Sequence, residues 1–260
     1  MVFTETKRYF VQRRVDDRRI ATGAPSFASY FARLRADMDG EIEQFINAFT
    51  INETYFYRED HQLQCLTNDL LGERLACKPT VEPIRIWSVP CSTGEEPYSI
   101  AIWLLENWPP VDRFNVEILG SDIDTRALEA AREGIFGARA IGRLPPEVVA
   151  RYFEPAAAAE SWRLIGDLRG SVAFTPINVV DSAQTRQLGR FDVIFCRNLL
   201  IYFDEASRRI AADNLFENLA PGGFLCLGHS ESMSRISPLF EVRRYPDAIV
   251  YQRTQEVRHG

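Results

Sequence analysis

Ile84-Arg-Ile-Trp-Ser-Val-Pro-Cys-Ser-Thr-Gly-Glu-Glu-Pro-Tyr98 decides the fold. Its first half runs apolar through Ile84, Ile86, Trp87 and Val89, as a buried strand does. Cys91 to Pro97 then breaks the strand with small residues, a glycine and two acids. From Tyr98 onward Ile100, Ala101, Leu104 and Leu105 recur at helical spacing. Strand, tight turn and helix form the entry unit of an open α/β sheet, whose ligands sit beyond the carboxyl ends of the strands. Glu95 and Glu96 fall in the turn. They either favour the positive end of the helix, worth roughly 0.3–1 kcal/mol each, or face a ligand carrying hydroxyl or ammonium groups. A mostly phosphate ligand would call for a glycine-rich cradle and a lysine.

Later segments repeat the rhythm. Val116–Ser121 reads as a second strand closing on Asp122, the position where ribose hydroxyls are held in doubly wound sheets. Asp124 suits the N-cap of a helix carrying Leu128, Ala131 and Phe136. Residues 137–170 interrupt the pattern and read, with the strand Val172–Ile177, as an inserted subdomain at about 140–176 containing a β-hairpin, with Gly166 and Gly170 flanking a turn. Its four alanines, Ala156–Ala159, read as a loop or helix end. Asn178 closes a strand on the side of Gly94 and Asp122. Phe191–Cys196 is a buried-type strand with Arg197-Asn198 at its end, and Asp204 caps a helix running to about Leu219. Pro221-Gly222-Gly223 reads as a turn, and Phe240–Arg244 with Ala248–Gln252 as an antiparallel edge hairpin.

Upstream, residues 1–50 read as a small all-helical domain. Lys7, Arg8, Arg13, Arg14, Arg18 and Arg19 give its first helix a basic face for an acidic partner. Ser26 caps a second helix with Phe27, Tyr30, Phe31 and Leu34, and the third turns Ile42, Phe45, Ile46 and Phe49 inward. Residues 51–80 join this domain to the sheet. Asn52, Thr54 and Arg58 lie there among aromatics, and the helix that follows ends before Pro79. Such junctions are where small-ligand sites concentrate.

Composition narrows the function. The net charge of −6, from 36 acids and 30 bases, argues against nucleic acid as the main partner. Five scattered cysteines without a C-x-x-C pair read as reduced thiols in a cytoplasmic protein. No metal-ligand spacing is present, and no apolar run reaches the roughly 20 residues of a membrane span. Gly228-His229-Ser230-Glu231-Ser232 matches a nucleophile elbow only in part, with only His259 downstream as a base. Gly94 stands without the other glycines of a dinucleotide fingerprint or a P-loop. A mostly parallel sheet with acids at its first two strand ends and an antiparallel edge hairpin fits an S-adenosylmethionine (SAM)-dependent methyltransferase.

The motifs sharpen this. Ile51-Asn-Glu-Thr-Tyr-Phe-Tyr-Arg58, Trp87–Ala101, Ser121–Asp124, Phe195–Asp204 and Gly228–Glu231 together resemble, in order, the signatures of the chemotaxis-receptor glutamate methyltransferases (CheR type). The resemblance implies a seven-stranded methyltransferase domain over residues 81–260. It implies donor contacts from Asn52, Thr54, Arg58, Glu96, Asp122, Asn178, Val179, Arg197 and Asn198, and selects Glu96 over Glu95. SAM is the implied donor and S-adenosylhomocysteine the product. Arg58 is the group expected to orient the acceptor carboxylate, and Tyr202 is expected beside the transferring methyl. The implied activity is methylation of glutamates on the cytoplasmic helical domain of chemoreceptors, giving γ-methyl esters in sensory adaptation. The rival from another class is a non-catalytic SAM-binding or receptor-docking module. Two departures stand out. The chain starts late relative to the family pattern, so the first helix of the helical domain is expected to be missing and receptor docking weakened. The insert carries Glu154-Pro155 and alanines where members that grip a receptor's C-terminal peptide carry glycine, so no such tether is expected.

Overall fold

A computed structural model describes residues 7–78 and 82–254. His259, Pro79 and the first six residues lie outside the described residues. Among the described residues ten strands form in chain order: β1 Ile84–Ser88, β2 Val116–Asp122, β3 Ile135–Gly137, β4 Phe153–Pro155, β5 Ser161–Leu164, β6 Val172–Pro176, β7 Phe191–Cys196, β8 Leu219–Leu227, β9 Phe240–Arg244 and β10 Ile249–Arg253. Seven make one sheet in the order β6-β2-β1-β7-β8-β10-β9. Pairs from β6 to β8 are parallel, whereas β10 runs antiparallel to both β8 and β9. The expected mostly parallel sheet with an antiparallel edge is therefore present. Its strand order reverses at β1, whose neighbours are β2 on one side and β7 on the other. That is the switch point where ligands of open α/β sheets bind.

The buried strands explain the layering. On β1, Ile84 and Ile86 enter one core, and Trp87, with Val89 just beyond, enters the other. Side chains alternate across a pleated strand, so a run apolar at every position serves two covered faces. On β7 the alternation skips: Phe191 shares a face with Ile194 and Cys196. A register shift between Phe191 and Val193 accounts for it, because the facing register jumps from Leu219 to Phe224. Pro221-Gly222-Gly223, expected as a turn, is thus an irregular stretch inside β8.

Three other expectations need correction. Phe136 does not lie on the helix after β2. That helix, Thr125–Glu133, stops at left-handed Gly134, and Phe136 sits on β3. The inserted sheet has three antiparallel strands, β3-β5-β4, while β6 belongs to the main sheet. Gly166–Gly170, expected as a turn, is a short helix.

Before the sheet come α1 (Arg8–Ala21), α2 (Phe27–Arg35) and α3 (Glu41–Phe49). Ser26 caps α2 through a reciprocal pair of hydrogen bonds with Ser29. The core here is small, built on Val15, Tyr30 and Phe49; Ile42, expected inward, is exposed, as are Phe27 and Phe31. A buried carboxylate does part of the joining. Glu41 accepts from Arg18 (2.6 and 3.0 Å) and from the Tyr30 hydroxyl (2.8 Å). Burial pushes Glu41 up, but Arg18 and Tyr30 outweigh it and hold the carboxyl below its usual range. Arg18 is therefore committed internally, and Arg19 pairs with Asp16, leaving Lys7, Arg8, Arg13 and Arg14 as the exposed basic face. After α3 the chain crosses to the sheet as a strap, residues 50–60, and the helical run that follows is α4 (His61–Cys65), a π-helical turn Leu66–Leu70, and α5 (Leu71–Ala76). Among the described residues no helix is long and apolar enough to cross a membrane.

Candidate active site

The carboxyl ends of β6, β2, β1 and β7 open into a cavity of about 560 Å³, within the ~300–1,000 Å³ common for small-molecule sites. Asn52, Thr54, Arg58, Glu96, Asp122, Asn178, Val179, Arg197, Asn198 and Tyr202 all line it. The floor comes from the strand ends. The roof comes from the strap after α3 and from Val11, Phe45, Ile46 and Phe49 of the helical part.

Gly94 sets the turn after β1. Its φ of +96° suits a residue without Cβ, and an added Cβ would stand 2.9 Å from Ala131 Cβ. The helix that follows, α6 (Glu95–Asn107), separates the two glutamates. Glu95 is turned away from the cavity and accepts from Thr93 Oγ1 (2.7 Å). Glu96 faces the cavity, accepting from Ser88 Oγ (2.7 Å) and pairing with Arg197 Nη1 (3.0 Å). Burial raises its carboxyl above the usual range, with Arg197 and Ser88 pulling back.

Asp122, at the end of β2, is only 4% exposed. One oxygen accepts from the Ser92 amide (2.8 Å) and the other from the Asp124 amide (2.9 Å). Burial raises its carboxyl, and those amides pull it back down. The acid thus binds two loops together as well as facing the cavity. Asp124 caps α7 (Thr125–Glu133), as its sequence position implied, and does more. Its second oxygen accepts from Thr50 Oγ1 and from Asn52 Nδ2 (2.9 Å). Asn52 in turn accepts from Ser92 Oγ (3.1 Å), and Asn47 Nδ2 donates to Thr125 Oγ1 (3.0 Å). The helical part is latched onto the N-terminus of α7 beside the cavity.

Arg197, at the end of β7, is the hub on the other side. Only 6% of it is exposed. Besides Glu96 it reaches the Arg58 carbonyl (Nη2, 2.6 Å) and Glu59 (3.3 Å). Asn198 follows in a left-handed conformation (φ +59°). Glu231 stabilises that bend by accepting from the amides of Asn198 (2.7 Å), Leu200 (2.7 Å) and Gly228 (3.0 Å). Left-handed conformations in residues with side chains cost about 1–3 kcal/mol each and cluster at functional sites. Arg58 donates to the Glu53 carbonyl (2.6 Å) and lies 5.7 Å from the Tyr55 ring. Among the described residues no cluster of His, Cys, Asp and Glu has the geometry to hold a metal ion.

Comparison with known proteins gives the family. Residues 52–249 match the family model of the CheR methyltransferase SAM-binding domain, and residues 1–50 match the CheR methyltransferase all-alpha domain. The chain belongs to the CheR methyltransferase family. Similar proteins include chemotaxis protein methyltransferase 2 of Vibrio cholerae, 50% identical over 96% of this chain and 86% of that protein. A protein of the same name in Pseudomonas aeruginosa is 38% identical over 90% and 82%. The Escherichia coli chemotaxis protein methyltransferase is 34% identical over 94% and 83%.

SAM is the donor bound by this methyltransferase domain. The residues present fit it. Acids stand at two adjacent strand ends, and the apolar Ile177 and Val179 line the same cavity beside Asn178. Sequence reasoning missed Glu59 and Ser88, the partners of Arg197 and Glu96. It also missed Phe45 and Ile46 as cavity wall. A Glu within Arg58-Glu59-Asp60 resembles any solvated charge run, so nothing local marks it. Glu231 had a signal, its place in the Gly228–Glu231 motif.

Proposed function

We propose that this methyltransferase transfers the methyl group of SAM to glutamate side-chain carboxylates on the cytoplasmic helical domain of chemoreceptors. The product is a glutamate γ-methyl ester, and the enzyme acts in the cytoplasm. The observation that carries the reading is the meeting of an arginine-bearing strap and an acid-lined strand edge at one cavity. The names of the similar proteins support chemotaxis as the setting.

Bound SAM supplies a methyl on a sulfonium, which departs as a neutral thioether. Glu96 suits the ammonium end of the donor, Asp122 the ribose hydroxyls, and Asn178-Val179 the adenine. Asn52 and Thr54 close over it from the strap, with Arg197-Asn198 near the reacting end. An acceptor glutamate has an ordinary pKa near ~4.3 and is already a carboxylate at neutral pH, so no general base is required. Alignment is then the main task of the protein, and positioning supplies up to about 7–11 kcal/mol. Arg58 orients the acceptor, because a guanidinium holds a carboxylate through two parallel hydrogen bonds. Tyr202 flanks the transferring methyl. Exposed Lys7, Arg8, Arg13 and Arg14 on and before α1 suit an acidic helical partner.

The test is transfer of labelled methyl from SAM to a purified receptor signalling fragment, read as base-labile counts and mapped by mass spectrometry. Wild type should modify glutamates, and Arg58→Ala should lose about 10²-fold or more in rate. Label that resists base, or none on the receptor with wild type, would overturn the assignment.

A further inference from the structure

The strap around Arg58 is held at one end by packing. Phe56 is fully buried, edge-on to Phe136 (4.8 Å) and Phe153 (5.2 Å). The Tyr57 amide donates to Ser99 Oγ (3.0 Å), and its ring meets Trp103 at 5.2 Å. Beyond that point the backbone is strained. Tyr57 (φ +58°) and Glu59 (φ +55°) are both left-handed, one on each side of Arg58. Such conformations persist only where the surroundings over-determine them.

What holds this end is the Glu59 side chain. Oε2 accepts from Gln62 Nε2 (3.0 Å) and stands 3.3 Å from Arg197 Nη2. Oε1 lies 2.9 Å from His229 Nδ1, which must carry the proton because an ionised carboxylate oxygen only accepts. Three separate segments therefore converge on one carboxylate: the start of α4, the end of β7 and the loop after β8. The Arg197 nitrogen that faces Glu59 also donates to the Arg58 carbonyl (2.6 Å). Burial pushes Glu59 up, but Arg197 and His229 outweigh it and keep the carboxyl below its usual range.

Glu59 has a second effect. It divides Arg197 between two carboxylates, so that Nη1 goes to Glu96 and Nη2 to the strap. With Glu59 removed, nothing anionic opposes a closed two-point pair between Arg197 and Glu96. That closure would draw the guanidinium off the Arg58 carbonyl.

We propose that Glu59 is a positioning residue for methyl transfer. Through Arg197 it holds the left-handed strap that aims Arg58 at the acceptor carboxylate. The role rests on the function proposed above. Glu59 is not among the residues lining the cavity, so its effect reaches the reaction only through Arg58 and Arg197.

Three variants of the full chain, Glu59→Ala, Glu59→Gln and Glu59→Asp, test it with three readouts. These are kcat and KM for a receptor fragment, S-adenosylhomocysteine affinity by calorimetry, and amide exchange of residues 57–61 by mass spectrometry. Glu59→Ala should lower kcat about 10²-fold, since misplacement by an ångström costs that much. Its affinity for S-adenosylhomocysteine should change at least about tenfold less than kcat does, and exchange in the strap should quicken. Glu59→Gln keeps an acceptor for Gln62 and Arg197 but removes the anion, so its kcat should fall between those of Glu59→Ala and wild type. Should Glu59→Ala fail to fold, Glu59→Asp decides, because its carboxylate stops one methylene short. A drop in kcat at unchanged product affinity is then the supporting result. Unaltered kcat and exchange in the shortened variants would overturn the role, as would equal losses in kcat and affinity, the mark of a merely structural residue. If wild type transfers no methyl at all, the proposed function fails, and strap exchange alone then judges Glu59.

Discussion

Asp122→Asn is the sharpest perturbation of the strand edge. The carboxylate has a backbone N–H on each oxygen, Ser92 at 2.8 Å and Asp124 at 2.9 Å. An amide has one oxygen. Either orientation of the substituted side chain would therefore set its NH₂ against an amide donor in a buried site, at about 1–3 kcal/mol for the unsatisfied group. For a domain of this size that lowers the melting temperature of the ligand-free protein by about 2–12 °C. A second loss falls on the ligand. A hydrogen bond to a charged acceptor contributes about 1.5–3 kcal/mol, so S-adenosylhomocysteine affinity should weaken about 10- to 150-fold. Differential scanning fluorimetry without ligand isolates the loop-binding role, and calorimetric titration adds the ribose contact. A variant melting within about 1 °C of wild type and binding the product within about twofold would refute both roles, since each predicted loss exceeds those margins.

Two further outcomes follow from other contacts. Asp192, 1% exposed, accepts from Arg74 (2.8 Å), Lys78 (2.6 Å) and the Arg85 amide (2.9 Å), tying the helix before β1 to β1 and β7. Asp192→Asn should cost about 3–5 kcal/mol in urea unfolding at neutral pH, because Arg74 stays buried without its counter-charge. Burial pushes this carboxyl up, but Lys78, the Arg85 amide and Arg74 outweigh it and leave it below its usual range. A depressed folded-state pKa gives stability that is whole above the unfolded value, ~3.9, and is lost as pH falls through the folded one. The gap between wild type and Asp192→Asn should accordingly narrow below about pH 4, and a constant gap down to acid unfolding would contradict the assignment. Gly94→Ala places a Cβ at φ +96°, 2.9 Å from Ala131 and 3.1 Å from the Tyr98 ring. It should destabilise by about 1–3 kcal/mol and weaken product binding, both absent if the turn relaxes freely.

The site was legible where chemistry and strand ends coincide. Glu96, Asp122, Asn178 and Arg197 each follow or close an apolar run that only a covered strand explains, and parallel pairing brings all four to one edge. Elements were misassigned where local pattern is silent about pairing. Ile135-Phe136-Gly137 continues the apolar spacing of α7, and only the left-handed Gly134 and the register against Trp162 make it a strand. Pro221-Gly222-Gly223 carries turn residues, yet β7 pairs with Leu219 before it and with Phe224 after it, so the stretch stays within one strand as an irregularity. Ile42 has helical spacing with Phe45 and Phe49, but three short helices enclose too little volume to cover it.

By itself the sequence determined the kind of sheet, its edge hairpin and which strand ends carry acids, because period-two burial and chain-breaking turns are local properties of the chain. Tertiary structure alone decided that Asp122 is occupied by two backbone amides and that Glu59 joins Arg197 from a segment far away in the chain. The reason is physical. A carboxylate's partners are chosen by which segments the sheet order brings within hydrogen-bond reach, and no local pattern encodes that distance.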